Sequence, residues 1–412
     1  MLNPYFLFAL LYIMLAVLAA LDSSLASLNL LPWFNGLRWL RVHLITLGTL
    51  TEIIFGLLPI LVATRSGRPR PSIRWDIWLI LNAGLLTLLV GIPLVNTTLI
   101  FVGGTLVFAA TSMLVQHVHE LRGAAVTPAR TAPSGRIFYL AGLSFFLLGI
   151  IVGTGLWLGW GEWLRIAVPI EVHIHANNWG FMALVFAGLI VDLYPDFAGR
   201  SLAWPQSLKP IFWMMTLGAL LLVLGPWVQS TWFTVPGILL HLSATGWLLL
   251  NVIKPLRGER SAWGPGLWHL LTSYVWIIAP VLVAPLIILK VPGFPGAGIE
   301  QNAPQALIYG WVLQFAYALL PYLFTRFFLP NEPAKLGGNW FTLLTVHLGG
   351  VFLWASIFIT DSYTVLHGTA YALWAASLIP IVLDLWRIAR KGWSRLESQS
   401  VAPFAESGRA AN

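Results

Sequence analysis

The sequence predicts an all-α protein that crosses a membrane many times. Hydrophobic residues make up 58% of the 412-residue chain and charged residues only 9%, whereas soluble domains carry about 25% charged residues. Apolar runs of roughly 20 residues, the length that spans a bilayer as a helix, recur twelve times between breaks of Gly, Pro or charge. We therefore expect twelve transmembrane helices within residues 1–392 and a polar, disordered cytoplasmic tail over 393–412.

The twelve runs follow one another with short connections. Most begin after a polar or proline-containing turn and end at a charged or glycine-containing one, as expected when each run leaves the bilayer. The predicted spans are 5–21, 43–64, 75–94, 97–117, 137–158, 171–194, 208–227, 231–252, 266–289, 304–326, 340–360 and 364–386.

The basic residues predict the orientation of the chain. Alternating connections place 19 of the 23 Lys and Arg residues on one side, and only Arg38, Arg41, Arg165 and Lys290 on the other. By the positive-inside rule the basic side is cytoplasmic. We expect a prokaryotic cytoplasmic membrane protein with both termini inside. The net charge of +8 follows from this topology and does not indicate nucleic-acid binding.

Cysteine is absent, which excludes disulfides, thiolate metal sites and iron–sulfur clusters. A transition metal would have to bind His, carboxylate or Met side chains. The nine histidines are therefore the first candidates for ligands.

An internal repeat is suggested by three glycines. His43 precedes Gly48 by five residues, His175 precedes Gly180 by five, and Gln305 precedes Gly310 by five. The second, sixth and tenth helices would then be equivalent. We expect three arcs of four helices around a pseudo-threefold axis, with these three helices innermost.

Four histidines are predicted in the outer part of the membrane: His43, His173, His175 and His367. A neutral imidazole is a common metal ligand, including to haem iron. His173 and His175, two residues apart on one helix, should point in roughly opposite directions. The alternatives are that His43 reaches the membrane interface and that the pair merely bonds to neighbouring helices.

The outer arginines flank the same helices. Arg38, Arg41 and Arg165 could hold haem propionates, or could simply lie among lipid headgroups. His241 and His347, nearer mid-membrane, are further candidate ligands, with a helix–helix hydrogen bond or proton relay as alternatives.

Glu52 is the one carboxylate predicted near the bilayer centre. It lies nine residues after His43 and about half a turn away around the helix, so it should not share that metal. It is either a proton-transfer group or a protonated side chain buried against another helix. Asp192, at the inner end of its helix, is expected close to water.

Two resemblances concern the residues just named. A second helix that opens on a histidine and continues to Phe55-Gly56-Leu57-Leu58-Pro59 resembles subunit I of haem–copper oxidases and nitric oxide reductases, which implies that His43 ligates a low-spin haem. The stretch from His173 to Gly188 is similar to a helix of the NnrS proteins, haem and copper membrane proteins linked to nitric oxide, which implies that His173 and His175 are metal ligands.

The chain departs from the oxidase pattern in two helices. The seventh has no histidine for copper, and the tenth carries Gln305 and Gln314 where the family has a histidine pair. The usual oxygen-reducing centre is therefore missing from its usual place.

Three functions follow as predictions. The first is a divergent haem-binding oxidoreductase or electron-transfer protein. It would receive electrons from a partner protein or a quinol and act with oxygen or nitric oxide. The second is an NnrS-like haem or copper protein without turnover. The third is a metal-free transporter, which the parallel rather than inverted repeat disfavours.

Overall fold

The computed structural model describes residues 3–121 and 134–407, with side chains to residue 395, and this part of the chain is helical with no strand. Short turns and 3₁₀ segments join the long helices. These are α1 Pro4–Ser27, α2 Leu37–Arg65, α3 Trp75–Gly91, α4 Thr97–Glu120, α5 Arg136–Leu158, α6 Pro169–Ala198, α7 Leu208–Trp227, α8 Thr231–Ile253, α9 Pro265–Ile288, α10 Gly296–Phe328, α11 Trp340–Phe358 and α12 Tyr363–Ser407.

Eleven of these helices in the described part of the chain are long and apolar enough to cross a membrane, and α3, at 17 residues, is shorter. Large apolar side chains point outward, including Leu18, Trp232 and Leu282, which are 61%, 87% and 72% exposed. In water such a surface would be costly, but lipid is as apolar as the side chains themselves. The prediction of an all-α, polytopic membrane protein is confirmed.

Two predictions meet the limits of the described residues. The backbone of α12 continues as helix to Ser407, so the proposed boundary at 393 falls inside a helix, and disorder of the tail stays a prediction. Arg122, Arg130 and Arg409, which contribute to the predicted basic side, lie outside the described residues.

The three innermost helices are α2, α6 and α10. In their apolar spans 83%, 78% and 100% of the residues are buried, whereas no other span exceeds 56%. They contact one another directly: Phe186 of α6 stacks on Phe315 of α10 at 4.0 Å, and Tyr309 of α10 donates to the Arg41 carbonyl of α2 at 2.7 Å.

Each inner helix also contains one seven-residue π-helical segment. The segments are Leu44–Leu50, Ala176–Met182 and Leu307–Leu313, so they begin 132 and 131 residues apart. A π-turn is rare and often marks a functional position. Its recurrence at one period supports the repeat that the sequence predicts.

A second repeated feature lies against these segments. Gly48 faces the ring of Tyr12 from α1, Gly180 faces Phe145 from α5, and Gly310 faces Trp276 from α9, each so closely that a methyl group would overlap the ring. The absent side chain lets a helix approach closely. Each of the three inner helices thus receives an aromatic ring from the helix that precedes it.

The remaining helices pack as pairs around this centre. Gly84 and Gly103 allow α3 and α4 to touch, and Gly218 and Gly237 do the same for α7 and α8. Ser24 of α1 donates to the Gly368 carbonyl of α12 at 2.8 Å, so the first and last helices are neighbours.

Asp192 does not lie near water as predicted. It is 1% exposed and accepts hydrogen bonds from the Gly135 amide at 2.9 Å and the Tyr139 hydroxyl at 2.7 Å, while Arg65 forms an ion pair with it at 3.4 Å. The sequence position suggested a helix end, but α6 extends a further turn to Ala198. Asp192 therefore joins α2, α5 and α6.

Candidate metal centre

His43 is positioned by the first turns of α2. Its Nδ1 lies 2.9 Å from the carbonyl of Trp39, one turn earlier, and the two rings stack at 4.4 Å with an angle of 9°. A ring nitrogen beside a carbonyl must carry the proton. Nδ1 is therefore the protonated nitrogen, and Nε2 presents a lone pair.

His173 is seated by a notch in α5. Its Nδ1 lies 2.9 Å from the Gly149 carbonyl, and a side chain at Gly153 would meet the ring, its Cβ only 2.5 Å from Cε1. Asn177, one turn later, donates to the His173 carbonyl at 2.8 Å and packs against Gly149. The two glycines form a Gly-x-x-x-Gly pattern, which permits close helix packing and which sequence reasoning overlooked.

The structure brings His43 and His173 together. Their ring centroids are 6.3 Å apart with an interplanar angle of 27°, and neither Nε2 bonds to a described residue. Both rings keep some accessible surface although protein surrounds them. The pair therefore presents two imidazole nitrogens that no described residue engages.

His175 faces the other way, as its spacing from His173 predicts. Its Nδ1 lies 2.6 Å from the Leu222 carbonyl of α7, so its Nε2 is also unprotonated and makes no bond to a described residue. It is partly accessible but has no ring contact with either of the other two histidines. The His-Ile-His pair therefore serves two different neighbours.

The outer arginines do not form one cluster. Arg41 is 4% exposed and lies between the rings of Trp33, at 5.4 Å, and Tyr371, at 4.8 Å. Its Nη2 donates to Gln305 at 2.9 Å when that amide is oriented to accept, while Nε and Nη1 have no partner among the described residues.

Arg38 and Arg41 both interact electrostatically with His367, which places them toward α12. Arg165 instead lines a cleft of about 610 Å³ between the α5–α6 connection and the turn after α7. Haem propionate binding by any of the three stays a prediction.

His241 and His347 use both of their ring nitrogens. His241 Nε2 lies 3.1 Å from the Trp179 carbonyl and Nδ1 3.4 Å from Thr245. His347 accepts from Trp276 at Nδ1, at 3.1 Å, and its Nε2 lies 2.9 Å from the Thr272 hydroxyl.

His367 has one polar partner, Ser27, 2.8 Å from its Nδ1. Its ring packs between Tyr363 and Tyr371, with centroids at 4.9 and 5.1 Å. None of these three histidines has a ring contact with another imidazole, so within the described chain the candidate ligands do not converge on one centre.

Glu52 lies on the other side of α2 from His43, as predicted. It is fully buried, and neither carboxyl oxygen has a hydrogen-bond partner among the described residues. Asn82 of α3 adjoins it: its Oδ1 accepts from the Tyr12 hydroxyl at 3.2 Å and its Nδ2 donates to the Trp78 carbonyl at 3.0 Å, which leaves one N–H of this amide for Glu52.

Across residues 3–121 and 134–395, no three His, Asp or Glu side chains lie close enough together to hold a metal ion. The pair of His43 and His173 is therefore a two-ligand arrangement. Comparison of the chain with protein-family models, curated proteins and solved structures finds no match in any of the three.

Proposed function

We propose that this chain is a membrane electron-transfer protein that binds haem between α2 and α6, where His43 and His173 would hold it. The observation that carries the proposal is the facing pair of imidazoles, 6.3 Å apart, each with Nδ1 at a backbone carbonyl. A metal-ligating histidine almost always donates its other N–H in this way, which fixes the tautomer and the ring.

The spacing of the pair fits one shared metal. Metal–imidazole bonds of about 2.0–2.1 Å would put the centroids of two opposed rings roughly 6 Å apart. His43 and His173 are each only partly buried, so a planar group could approach them between α2 and α6.

A bound haem would supply one-electron exchange, and His43 and His173 would both be taken up in holding it. The site therefore favours electron transfer over reduction of oxygen or nitric oxide. His241 and His347 already have partners on both nitrogens, which argues against a second catalytic metal there. The electron donor is a partner protein or a membrane quinol.

The architecture that supports this proposal is twelve spans in three arcs, with α3 as the shortest span. The repeated π segments and aromatic–glycine contacts favour α1–α4, α5–α8 and α9–α12 as the arcs. We place the basic side and both termini in the cytoplasm of a prokaryotic cell, so the imidazole pair lies toward the outer face of the membrane.

A second candidate is copper binding without turnover. It is favoured by His175, whose Nε2 is as unengaged as those of the facing pair while Nδ1 lies at the Leu222 carbonyl. Two imidazole ligands also suit a copper ion.

One experiment tests both. The protein is purified from a haem-replete host, its haem and copper are quantified, and oxidised and dithionite-reduced spectra are recorded. His43→Ala and His173→Ala should each abolish or shift the low-spin Soret band, whereas His241→Ala should retain it. Copper lost only in His175→Ala would favour the second candidate. Well-folded wild type with neither haem nor copper would overturn both.

A further inference from the structure

Glu52 and its repeat equivalents differ in a way that the metal centre does not explain. Four residues after the repeated glycines lie Glu52 in α2, Leu184 in α6 and Gln314 in α10. All three residues are fully buried. One arc thus places an acid where the others place an apolar residue and a neutral amide.

At the Gln314 position the amide nitrogen has partners, whereas Oε1 is buried with none among the described residues. Its amide nitrogen donates to Thr272 at 2.9 Å and lies 3.0 Å from His347 Nε2. Trp276 donates to the other nitrogen of His347. Buried polar groups are normally satisfied in this manner.

The Glu52 position is not satisfied. Tyr12 and Asn82 occupy the places equivalent to Trp276 and His347 but bond to each other, and both carboxyl oxygens remain without a partner among the described residues. An ionised carboxylate there would be very costly. Retaining an acid at this position, when an amide serves in α10, indicates a use for its proton.

A cavity of about 30 Å³ lies at the arginine-rich end of the helices, one helical turn beyond Glu52. This volume holds about two water molecules. Its wall includes Gly56, one turn or about 6 Å beyond Glu52, and Tyr5, which interacts electrostatically with Glu52. The polar groups of its wall are Asn3, Tyr5, Arg70, Ser72, Arg74 and His117.

We propose that Glu52 is a proton-binding site that equilibrates with the arginine-rich side of the membrane through this cavity. The titratable groups that face it are Tyr5 and Tyr12 of α1, and Asn82 of α3 adds a neutral amide that does not titrate. Arg70, Arg74 and His117 lie beyond it at the cavity. His117 has a buried Nε2 without a partner among the described residues, and water in the cavity would satisfy it.

The test is chemical labelling in phosphatidylcholine vesicles. N,N′-dicyclohexylcarbodiimide is apolar and reacts with protonated carboxyls, and mass spectrometry locates the product. The pH inside and outside is set independently between about 5 and 9, and protease removal of a C-terminal tag reports orientation. Labelling requires no bound metal, so the result is independent of the proposed function.

Glu52 should be labelled, and the yield should follow the pH of the arginine-rich side alone. It should fall about tenfold for each pH unit above the carboxyl's pKa. Ser72→Trp, which fills the mouth of the cavity, should slow the response of Glu52 labelling to a pH change at least about tenfold. Glu52→Gln should abolish the product.

The Gln314→Glu chain provides the matched control, because it adds an acid at the equivalent position. Ser72→Trp should leave labelling at position 314 unchanged. The proposal is overturned if Glu52 is never labelled, if its labelling follows the arginine-poor side, or if Ser72→Trp has no effect on its rate.

Discussion

The histidines of α2 and α6 and those of α8 and α11 lie in similar surroundings but use their rings differently. In His43 and His173, Nδ1 bonds to a backbone carbonyl and Nε2 has no partner among the described residues. His241 and His347 have a partner at each nitrogen. The difference separates rings with one nitrogen that no described residue engages from rings that join helices. Residue type and membrane depth alone could not make this distinction.

The largest effect, on haem content, should come from disturbing the packing around His43 and His173 without removing either imidazole. Gly153→Val places two methyl groups against the His173 ring, whose Cε1 already lies 2.5 Å from the position of a Cβ. We expect most of the bound haem to be lost although both ligands remain. Haem per protein, measured by absorbance, checks this.

Gly246→Ala is the control for that change, because nothing lies within 4 Å of the position, and it should keep full haem content. If Gly153→Val retained a normal haem content and spectrum, the notch in α5 would not be what positions His173.

His241 and His347, which have a partner at each ring nitrogen, should contribute to the stability of the folded state. His347→Ala removes the partner of Trp276, Thr272 and Gln314, and buried groups left unpaired cost about 1–3 kcal/mol each in soluble proteins and somewhat less in membranes. We expect a loss of about 2–4 kcal/mol. His43→Ala in metal-free protein should cost about 1 kcal/mol, because one hydrogen bond is lost.

Thermal unfolding of both variants in detergent, without haem, measures the difference. Equal losses would mean that the two classes of histidine are energetically alike, and the contrast in ring bonding would then carry no functional meaning.

The repeated aromatic contacts allow a similar test of the three arcs. Gly48→Ala, Gly180→Ala and Gly310→Ala each drive a methyl group into the ring of the preceding helix, and overpacking of this kind costs about 1–3 kcal/mol. Comparable losses in chemical denaturation are expected at all three sites. Gly246→Ala should instead be neutral or gain up to about 1 kcal/mol from helix propensity.

A loss confined to one of the three glycines would contradict the equivalence of the inner helices. It would leave the common spacing of the π segments without a common structural cause.

Much of the fold could be predicted from the sequence because the length of an apolar run is fixed by bilayer thickness. The predicted spans of α4 and α7 end within three residues of the observed helices. The glycine spacing also led to the correct trio of buried helices. The π segments could not be foreseen, since no residue type is specific for them.

The site was less predictable. His43 and His173 were both candidates, but their pairing depends on which faces of α2 and α6 meet, and sequence spacing within one helix cannot supply this. The Gly149 and Gly153 notch was the missing signal. Asp192 was misjudged because its partners come from α2 and α5, far away in sequence.

The smallest effect should come from an ion pair at the surface, outside the membrane-spanning segments. Glu332, in the connection after α10, bonds to Lys391 at 2.7 Å and Arg395 at 2.5 Å of α12. The hydrogen bond from Lys391 holds the pKa of the Glu332 carboxyl below its usual range. The folded state therefore gains stability at pH values above the unfolded pKa and loses it as the pH falls through the lowered one.

Glu332→Gln should thus lower the unfolding midpoint slightly at pH 7 and leave it unchanged in acid, where the wild-type carboxyl is protonated as well. High salt should erase the difference, because exposed charges are screened. Unfolding midpoints at two pH values and two salt concentrations check this. A drop as large as that of His347→Ala would show that contacts at the membrane surface, rather than the bonded histidines inside, dominate the stability of the α9–α12 region.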